Sequence, residues 1–228
     1  MKFEDVLRNF QKKNYLKALN DLNKLITIEP YSTEKINLKG VILQFLKKSN
    51  EARENWKKAS KIDESYADPY FNMGNSYMDD KIYDLAENYF KKAIACQPSN
   101  FKFLFQLGSL YMRKNELEKS FIFFSKSKTI NKNFAPTYYN LGIILNNLNK
   151  KKNSISFFNQ AIKLNPNYLD AFFALGVTYR EIKNFDLAKK NFLKAMELNP
   201  DYPYLKGALR YIKNTLCEWD NYDKDIKN

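Results

Sequence analysis

The side chains best suited to do chemistry in this chain are amides that recur at a step of 34 residues. Asn72, Gln106 and Asn140 share one position in three successive copies of a pattern, and Asn75 and Asn146 lie on the same predicted helix face. An amide carries hydrogen-bond donors and an acceptor, so it can pair with the N–H and C=O groups of a peptide of any sequence. This spacing therefore favours hydrogen bonding to an extended backbone.

Catalytic chemistry has no support in the composition. Histidine is absent from the 228 residues, which removes the commonest general base and a frequent zinc ligand. Cys96 and Cys217 are too far apart in sequence to form a metal-binding motif. We also find no nucleotide-binding loop, so the sequence predicts a chain that is not an enzyme and that has no cofactor, no catalytic residue and no metal site.

The elements that position the amides repeat with the same period. Five of the six glycines lie 34 residues apart, at Gly40, Gly74, Gly108, Gly142 and Gly176. Small residues keep the same step at Ala52, Ala86, Ser120, Ser154 and Ala188, and aromatic residues keep it at Trp56, Phe90, Phe124, Phe158 and Phe192. A fixed period of this length predicts stacked helical units rather than one globular core.

Each unit is predicted to be a hairpin of two helices. We expect the helices to touch where the glycine of the first meets the small residue of the second, and the aromatic residue to wedge into the next unit. Proline ends the second helix of four units, at positions 30, 98, 166 and 200.

This pattern resembles the tetratricopeptide repeat from about residue 1 to 202. The resemblance implies an all-α fold, a right-handed α–α superhelix (solenoid) of about six repeats with a C-terminal capping helix. The predicted units are 1–32, 33–66, 67–100, 101–134, 135–168 and 169–202, followed by the capping helix and tail at 203–228.

In such a stack the first helices line a concave groove, which is the predicted site for a peptide or a protein partner. The residues predicted to line it are Asn72, Asn75, Gln106, Asn140 and Asn146, with Phe71, Phe105 and Tyr139 as half-buried neighbours. An alternative to peptide binding stays open, in which the amides are solvated or bridge neighbouring helices. A clamp of basic residues for a chaperone carboxylate is not expected, because the corresponding positions hold Asp68, Lys102, Pro136 and Asp170.

A second resemblance gives an alternative function. Residues 216–223, with the sequence LCEWDNYD, are similar to the segment that joins the repeats to the catalytic part of O-linked N-acetylglucosamine transferases. Those enzymes carry an asparagine ladder that grips substrate backbones. The resemblance implies a substrate-recognition region of such a glycosyltransferase, with the catalytic domain absent from this chain.

The net charge of +13 does not by itself predict nucleic-acid binding, because the aromatic residues keep to packing positions and do not interleave with the lysines. No apolar run is long enough for a membrane span, and the N-terminus lacks the apolar stretch of a signal peptide. We therefore predict a cytoplasmic protein whose partner is a protein or a peptide, with nucleic acid an unlikely partner and no membrane association.

Overall fold

The computed structural model describes residues 2–217, and these residues form thirteen α-helices and no strand. Consecutive helices pack as hairpins joined by short turns. The first helices of the hairpins are α1 (Phe3–Gln11), α3 (Thr33–Phe45), α5 (Ala67–Asp79), α7 (Phe101–Arg113), α9 (Ala135–Asn147) and α11 (Leu169–Glu181). The second helices are α2 (Tyr15–Ile28), α4 (Ser49–Ile62), α6 (Tyr83–Cys96), α8 (Leu117–Ile130), α10 (Lys151–Leu164) and α12 (Phe185–Leu198). A last helix, α13, spans Leu205–Thr215.

Proline marks the ends of the second helices as expected. Helix α6 ends at Cys96, two residues before Pro98, and α2, α10 and α12 end at the same distance from their prolines. Helix α4 ends at Ile62 without a nearby proline. A proline is therefore not required to end a second helix.

The chain divides into two compact units, Met1–Phe123 and Phe124–Asn228, with the boundary inside α8. We call them the N-terminal unit and the C-terminal unit. Within the N-terminal unit, α3 contacts α5 and α5 contacts α7; within the C-terminal unit, α9 contacts α11. Successive first helices are thus neighbours, which brings their side chains within reach of one another.

The glycines make room for aromatic rings of their own repeats. A Cβ atom added to Gly74 would lie 2.6 Å from Cδ1 and Cε1 of Phe90, and one on Gly176 would lie 2.6 Å from the same atoms of Phe192. The expected contact with a small residue is found at Ser120, whose hydroxyl donates to the carbonyl of Gly108 at 2.8 Å. Contact between the glycine and the small residue therefore explains only part of the packing, since the aromatic ring of the same repeat fills the space beside the glycine.

The turn between the two helices of each hairpin contains a residue with left-handed backbone conformation, and these residues also lie 34 positions apart in sequence. The residues with φ between 56° and 63° in these turns are Lys13, Lys47, Lys81, Asn115, Asn149, Lys183 and Cys217. A residue in this conformation commonly follows the C-cap of a helix. Because Cys217 continues the series, α13 occupies the position of the first helix of a seventh repeat.

Helix α13 covers the core of the sixth repeat. Its buried residues Leu205, Leu209 and Ile212 pack in one cluster with Phe192 of α12. Arg210, which stands where the ladder would place a glycine, is exposed. Trp219 and the rest of the segment after Cys217 lie outside the described residues.

Candidate functional site on the first helices

In the N-terminal unit the predicted amides form two hydrogen bonds between successive first helices. Asn72 on α5 donates through Nδ2 to Oδ1 of Asn37 on α3 at 2.9 Å. Gln106 on α7 donates through Nε2 to Oδ1 of Asn75 on α5 at 2.8 Å. The alternative of bridging neighbouring helices therefore applies to three of the predicted residues, and each bridge fixes the orientation of both amides.

Asn37 anchors the first bridge and is a residue that the sequence interpretation missed. It is only 8% exposed, its Nδ2 donates to the hydroxyl of Tyr66 at 3.4 Å, and its backbone carbonyl accepts from Nε1 of Trp56 at 3.2 Å. Burial, followed by the charge of Asp68, raises the pKa of Tyr66 to about 12. Tyr66 therefore stays a neutral partner for Asn37 over the physiological range.

A signal in the sequence could have identified Asn37. The same position in the next three repeats holds the aromatic residues Phe71, Phe105 and Tyr139. An amide in an otherwise aromatic position is a departure that packing alone does not require. This substitution gives Asn72 its partner.

The two bridges leave hydrogen-bonding groups unused. Within residues 2–217 neither Oδ1 of Asn72, Oε1 of Gln106 nor Nδ2 of Asn75 has a further partner. All three side chains are half-buried, so these groups are held in place and still reach the surface. Two acceptors and one donor on neighbouring helices can pair with the alternating N–H and C=O groups of an extended chain.

The predicted aromatic neighbours Phe71 and Phe105 directly precede the amides Asn72 and Gln106 in sequence. The ring of Phe71 packs against that of Phe103 at 4.7 Å between centroids and against that of Phe90 at 5.9 Å. Phe71 and Phe105 are both half-buried. The ring of Phe71 thus contacts both its own repeat and the next one, and only part of it remains open to a ligand.

The C-terminal unit contains Tyr139, Asn140 and Asn146. Asn140 is half-buried and makes no side-chain hydrogen bond within the part of the chain that the structure describes. Tyr139 packs against Tyr168 at 5.1 Å and Phe158 at 6.0 Å. Burial, followed by the charge of Asp170, raises the pKa of Tyr139 to about 12.

The side chain of Asn146, near the end of α9, is held by hydrogen bonds from the next two helices. Its Oδ1 accepts from Nζ of Lys151 at 3.1 Å and from the hydroxyl of Thr178 at 3.3 Å. Lys151 also pairs with Glu181. The carbonyl group of Asn146 is therefore occupied by contacts that join α9, α10 and α11.

Charged pairs fix the contact between successive repeats in the N-terminal unit. Arg53 on α4 pairs with Asp80 and donates to the hydroxyl of Ser76 at 2.9 Å. Glu87 on α6 pairs with Lys114 at 3.0 Å. Both pairs are 27 residues apart in sequence, with the charges reversed. They hold the helices that carry the amides in one register.

Among residues 2–217, no group of three or more histidine, cysteine, aspartate or glutamate residues could hold a metal ion. In the same range no helix is both long and apolar enough to cross a membrane.

Family models match most of the repeats one by one. Residues 67–100, 89–121, 135–168 and 169–202 each match a model of the tetratricopeptide repeat, and residues 46–81 match a further model described as TPR repeat. The chain carries tetratricopeptide repeats. Every matching model describes this repeat, and the matched bounds 67–100, 135–168 and 169–202 coincide with predicted units.

Known proteins with tetratricopeptide repeats share the sequence pattern and the fold. The human tetratricopeptide repeat protein 6 is 30% identical over 90 residues, which cover 40% of this chain and 17% of the human protein. The chain thus matches less than a fifth of that relative. Resemblance to a transferase is not shown by these matches.

Two solved tetratricopeptide structures cover most of the chain. YrrB, described as a TPR protein with an unusual peptide-binding site, is 23% identical with a TM-score of 0.68, over 83% of this chain and 97% of YrrB. PilF from Pseudomonas aeruginosa is 17% identical with a TM-score of 0.79, over 93% of this chain and 95% of PilF. At these identities the likeness shows the fold alone, and the predicted class, an all-α tetratricopeptide solenoid, is confirmed.

Proposed function

We propose that this chain is a protein-interaction scaffold that binds an extended peptide segment of a partner protein along its first helices. The observation that carries the proposal is the pair of bridged amides, Asn72 with Asn37 and Gln106 with Asn75. Each bridge holds an amide in a fixed orientation and leaves an acceptor or a donor unused. Groups held in place before binding lose less conformational entropy when the ligand arrives.

The dimensions of the site suit an extended chain. Packed helices lie about 8–10 Å apart, and an extended strand rises about 3.3 Å per residue. Amides on adjacent first helices would therefore meet the backbone about every third residue. Each hydrogen bond contributes about 0.5–1.5 kcal/mol net, so three or four of them, less the cost of ordering the peptide, give micromolar or weaker affinity.

The C-terminal unit offers a smaller set of contacts. Asn140 is available as donor and acceptor, and Tyr139 presents the accessible part of its ring. Asn146 contributes less, because Lys151 and Thr178 already occupy its carbonyl oxygen. YrrB, which has the same fold and a peptide-binding site by its description, supports a peptide as the ligand class.

Asn75→Asp separates peptide binding from bridging. The aspartate keeps an oxygen that accepts from Gln106, but it lacks the free Nδ2 donor, so the bridge survives and one contact to the peptide is lost. With a peptide selected on an immobilised array, isothermal titration should show affinity weaker by roughly three- to tenfold. The double variant Asn72→Ala with Gln106→Ala should bind more weakly still.

The matched control is Asn50→Asp, which makes the same change at an exposed residue of a second helix, α4. Its affinity should equal that of the wild type. If Asn75→Asp and Asn50→Asp bind the peptide equally well, the amides on the first helices are not the binding groups.

The alternative of a glycosyltransferase recognition region is not favoured by any described residue. Only Leu216 and Cys217 of the segment similar to the transferases lie within the described range, and the matching family models describe repeats alone. We therefore propose a non-catalytic role for the chain, and its cytoplasmic location stays a prediction from the sequence.

A further inference from the structure

An apolar patch lies open at the turn of the first hairpin. Leu16 is 68% exposed and Phe45 is 53% exposed. The ring of Tyr15 stacks on that of Phe45 at 5.0 Å with an interplanar angle of 14°, and the ring of Phe10 meets Phe45 edge-on at 5.4 Å. We call Phe10, Tyr15, Leu16, Phe45 and Leu46 the tip patch.

The two most exposed residues of the tip patch are polar in the other five complete repeats. The position of Leu16 holds Asn50, Asp84, Glu118, Lys152 and Asp186, and all of them are exposed. The position of Phe45 holds Gln11, Asp79, Arg113, Asn147 and Glu181, which are exposed as well. Repeats with a neighbour on both sides leave these positions open, so a further repeat would not cover the tip patch.

Lysine side chains surround the tip patch. Lys13 and Lys17 line a hollow of about 580 Å³ together with Tyr15, Leu16 and Leu46. Lys12, Lys47 and Lys48 are exposed in the same two turns. Among the described residues an acidic group pairs with just one of these five lysines, since Glu51 lies 2.9 Å from Lys48.

The basic character belongs to this turn and does not simply reflect the charge of the whole chain. The turn of the third hairpin is acidic, with Asp79, Asp80 and Asp84 exposed around Lys81. Apolar side chains and four lysines with no acidic partner among the described residues therefore coincide at the first hairpin, while the turn two repeats away carries three exposed aspartates.

We propose that the tip patch is a second docking site, which binds a partner segment carrying one large apolar side chain flanked by acidic residues. The apolar side chain enters the hollow against Leu16 and Leu46, and the carboxylates face Lys13 and Lys17. The hollow of about 580 Å³ is large enough to receive one such side chain. Two exposed large apolar residues offer too little apolar area for stable attachment to a bilayer.

The test uses the full chain and a set of synthetic acidic peptides, each with one Leu, Ile, Phe or Trp flanked by Asp or Glu. Two matched sets carry Ser for the apolar residue or Gln and Asn for the acidic residues. The variants Leu16→Asn, Phe45→Asp and Lys17→Glu place residues that other repeats hold at the same positions, so each is compatible with the fold. Ile122→Asn, at a 50% exposed residue of α8, is the matched control.

Fluorescence anisotropy at low salt should show binding by the first peptide set and weaker binding by both matched sets. Leu16→Asn and Phe45→Asp should each weaken binding by about tenfold, as for the central residues of an interface. Lys17→Glu should also weaken binding, and its effect should be larger at low salt than at high salt, because salt screens the interaction between lysine and the acidic peptide. Ile122→Asn should leave binding unchanged, because Ile122 lies outside the tip patch.

Three results would overturn the proposal. The first is equal binding by all three peptide sets or by the wild type and the tip variants. The second is binding to phosphatidylserine vesicles without binding to the acidic peptides, which would assign the patch to a membrane surface. The third is a dimer in sedimentation that Leu16→Asn dissociates while no peptide binds, which would assign the patch to a second copy of the chain.

Discussion

Gly74 and Gly207 differ in what an added methyl group would meet. At Gly74 the methyl would lie 2.6 Å from the ring of Phe90, and that ring is fully buried. At Gly207, inside α13, nothing lies within 4 Å. The ladder glycines Gly40, Gly74, Gly142 and Gly176 are therefore required by packing, whereas Gly207 is not.

We predict that Gly74→Ala lowers the free energy of unfolding by about 1–3 kcal/mol, the usual cost of overpacking a core. Gly207→Ala should leave it unchanged or raise it by up to about 1 kcal/mol, because alanine is the better helix former. Urea denaturation followed by circular dichroism measures both. Equal midpoints for the two variants would contradict this account of the glycine ladder.

The amides show how far sequence alone can go at the scale of residues. The step of 34 placed Asn72 and Gln106 on corresponding turns of neighbouring helices, because a repeat period fixes position along each helix. It did not predict which side chains they bind. That depended on Asn37 and Asn75, whose partners belong to adjacent helices and follow from packing geometry that no periodicity encodes.

At the scale of helices, the contact between successive repeats varies in chemistry at one pair of positions. It is charged at Arg53 with Asp80 and at Glu87 with Lys114. The same pair of positions is apolar in the first repeat, where Leu19 and Leu46 pack around one core cluster. A repeat carrying one charge fits only a neighbour with the matching residue, so these pairs help to specify the order of the repeats.

Glu87 gives this contact a measurable pH dependence. Burial alone raises the pKa of Glu87, but hydrogen bonds from Lys91, Lys114 and Tyr111 outweigh burial and lower it to about 2 from an ordinary value of 4.5. The ionised carboxylate is thus favoured by folding. Its contribution to stability is complete above pH 4.5 and is lost as the pH falls toward 2.

We predict that Glu87→Gln is less stable than the wild type at neutral pH, and that the difference shrinks as the pH falls from 4.5 toward 2. Urea midpoints at a series of pH values measure it. Glu54→Gln, at an exposed glutamate of α4, is the control and should show little difference at any pH. A difference for Glu87→Gln that stays constant with pH would refute the role given to this carboxylate.

The helices themselves were largely predictable, and their turns less so. Proline and the glycine ladder marked the hairpins, because proline ends a helix through local sterics and the glycines recur once in each repeat. The left-handed turn residues were not predicted, because lysine fills most of these positions and lysine carries no preference for that conformation. The register of α13 as a seventh first helix was available from the step of 34, which places Arg210 at the glycine position, and the positive φ of Cys217 agrees with it.

Each repeat contacts mainly its sequence neighbours, so stability should be distributed along the chain in nearest-neighbour steps. We predict that Gly74→Ala speeds amide hydrogen exchange most in α5, α6 and α7, and least in α11, α12 and α13. Exchange followed by mass spectrometry resolves these segments. An equal increase along the whole chain would mean that it unfolds as a single cooperative body.

The central claim is that amides on the first helices bind the backbone of an extended peptide. Its most direct test is a titration of the isotope-labelled chain with an array-selected peptide, followed through the side-chain NH₂ resonances. We predict that the resonances of Asn72, Asn75 and Gln106 shift during the titration while those of Asn50, on a second helix, do not. Shifts at Asn50 and other residues of the second helices, with the three amides unmoved, would contradict the claim.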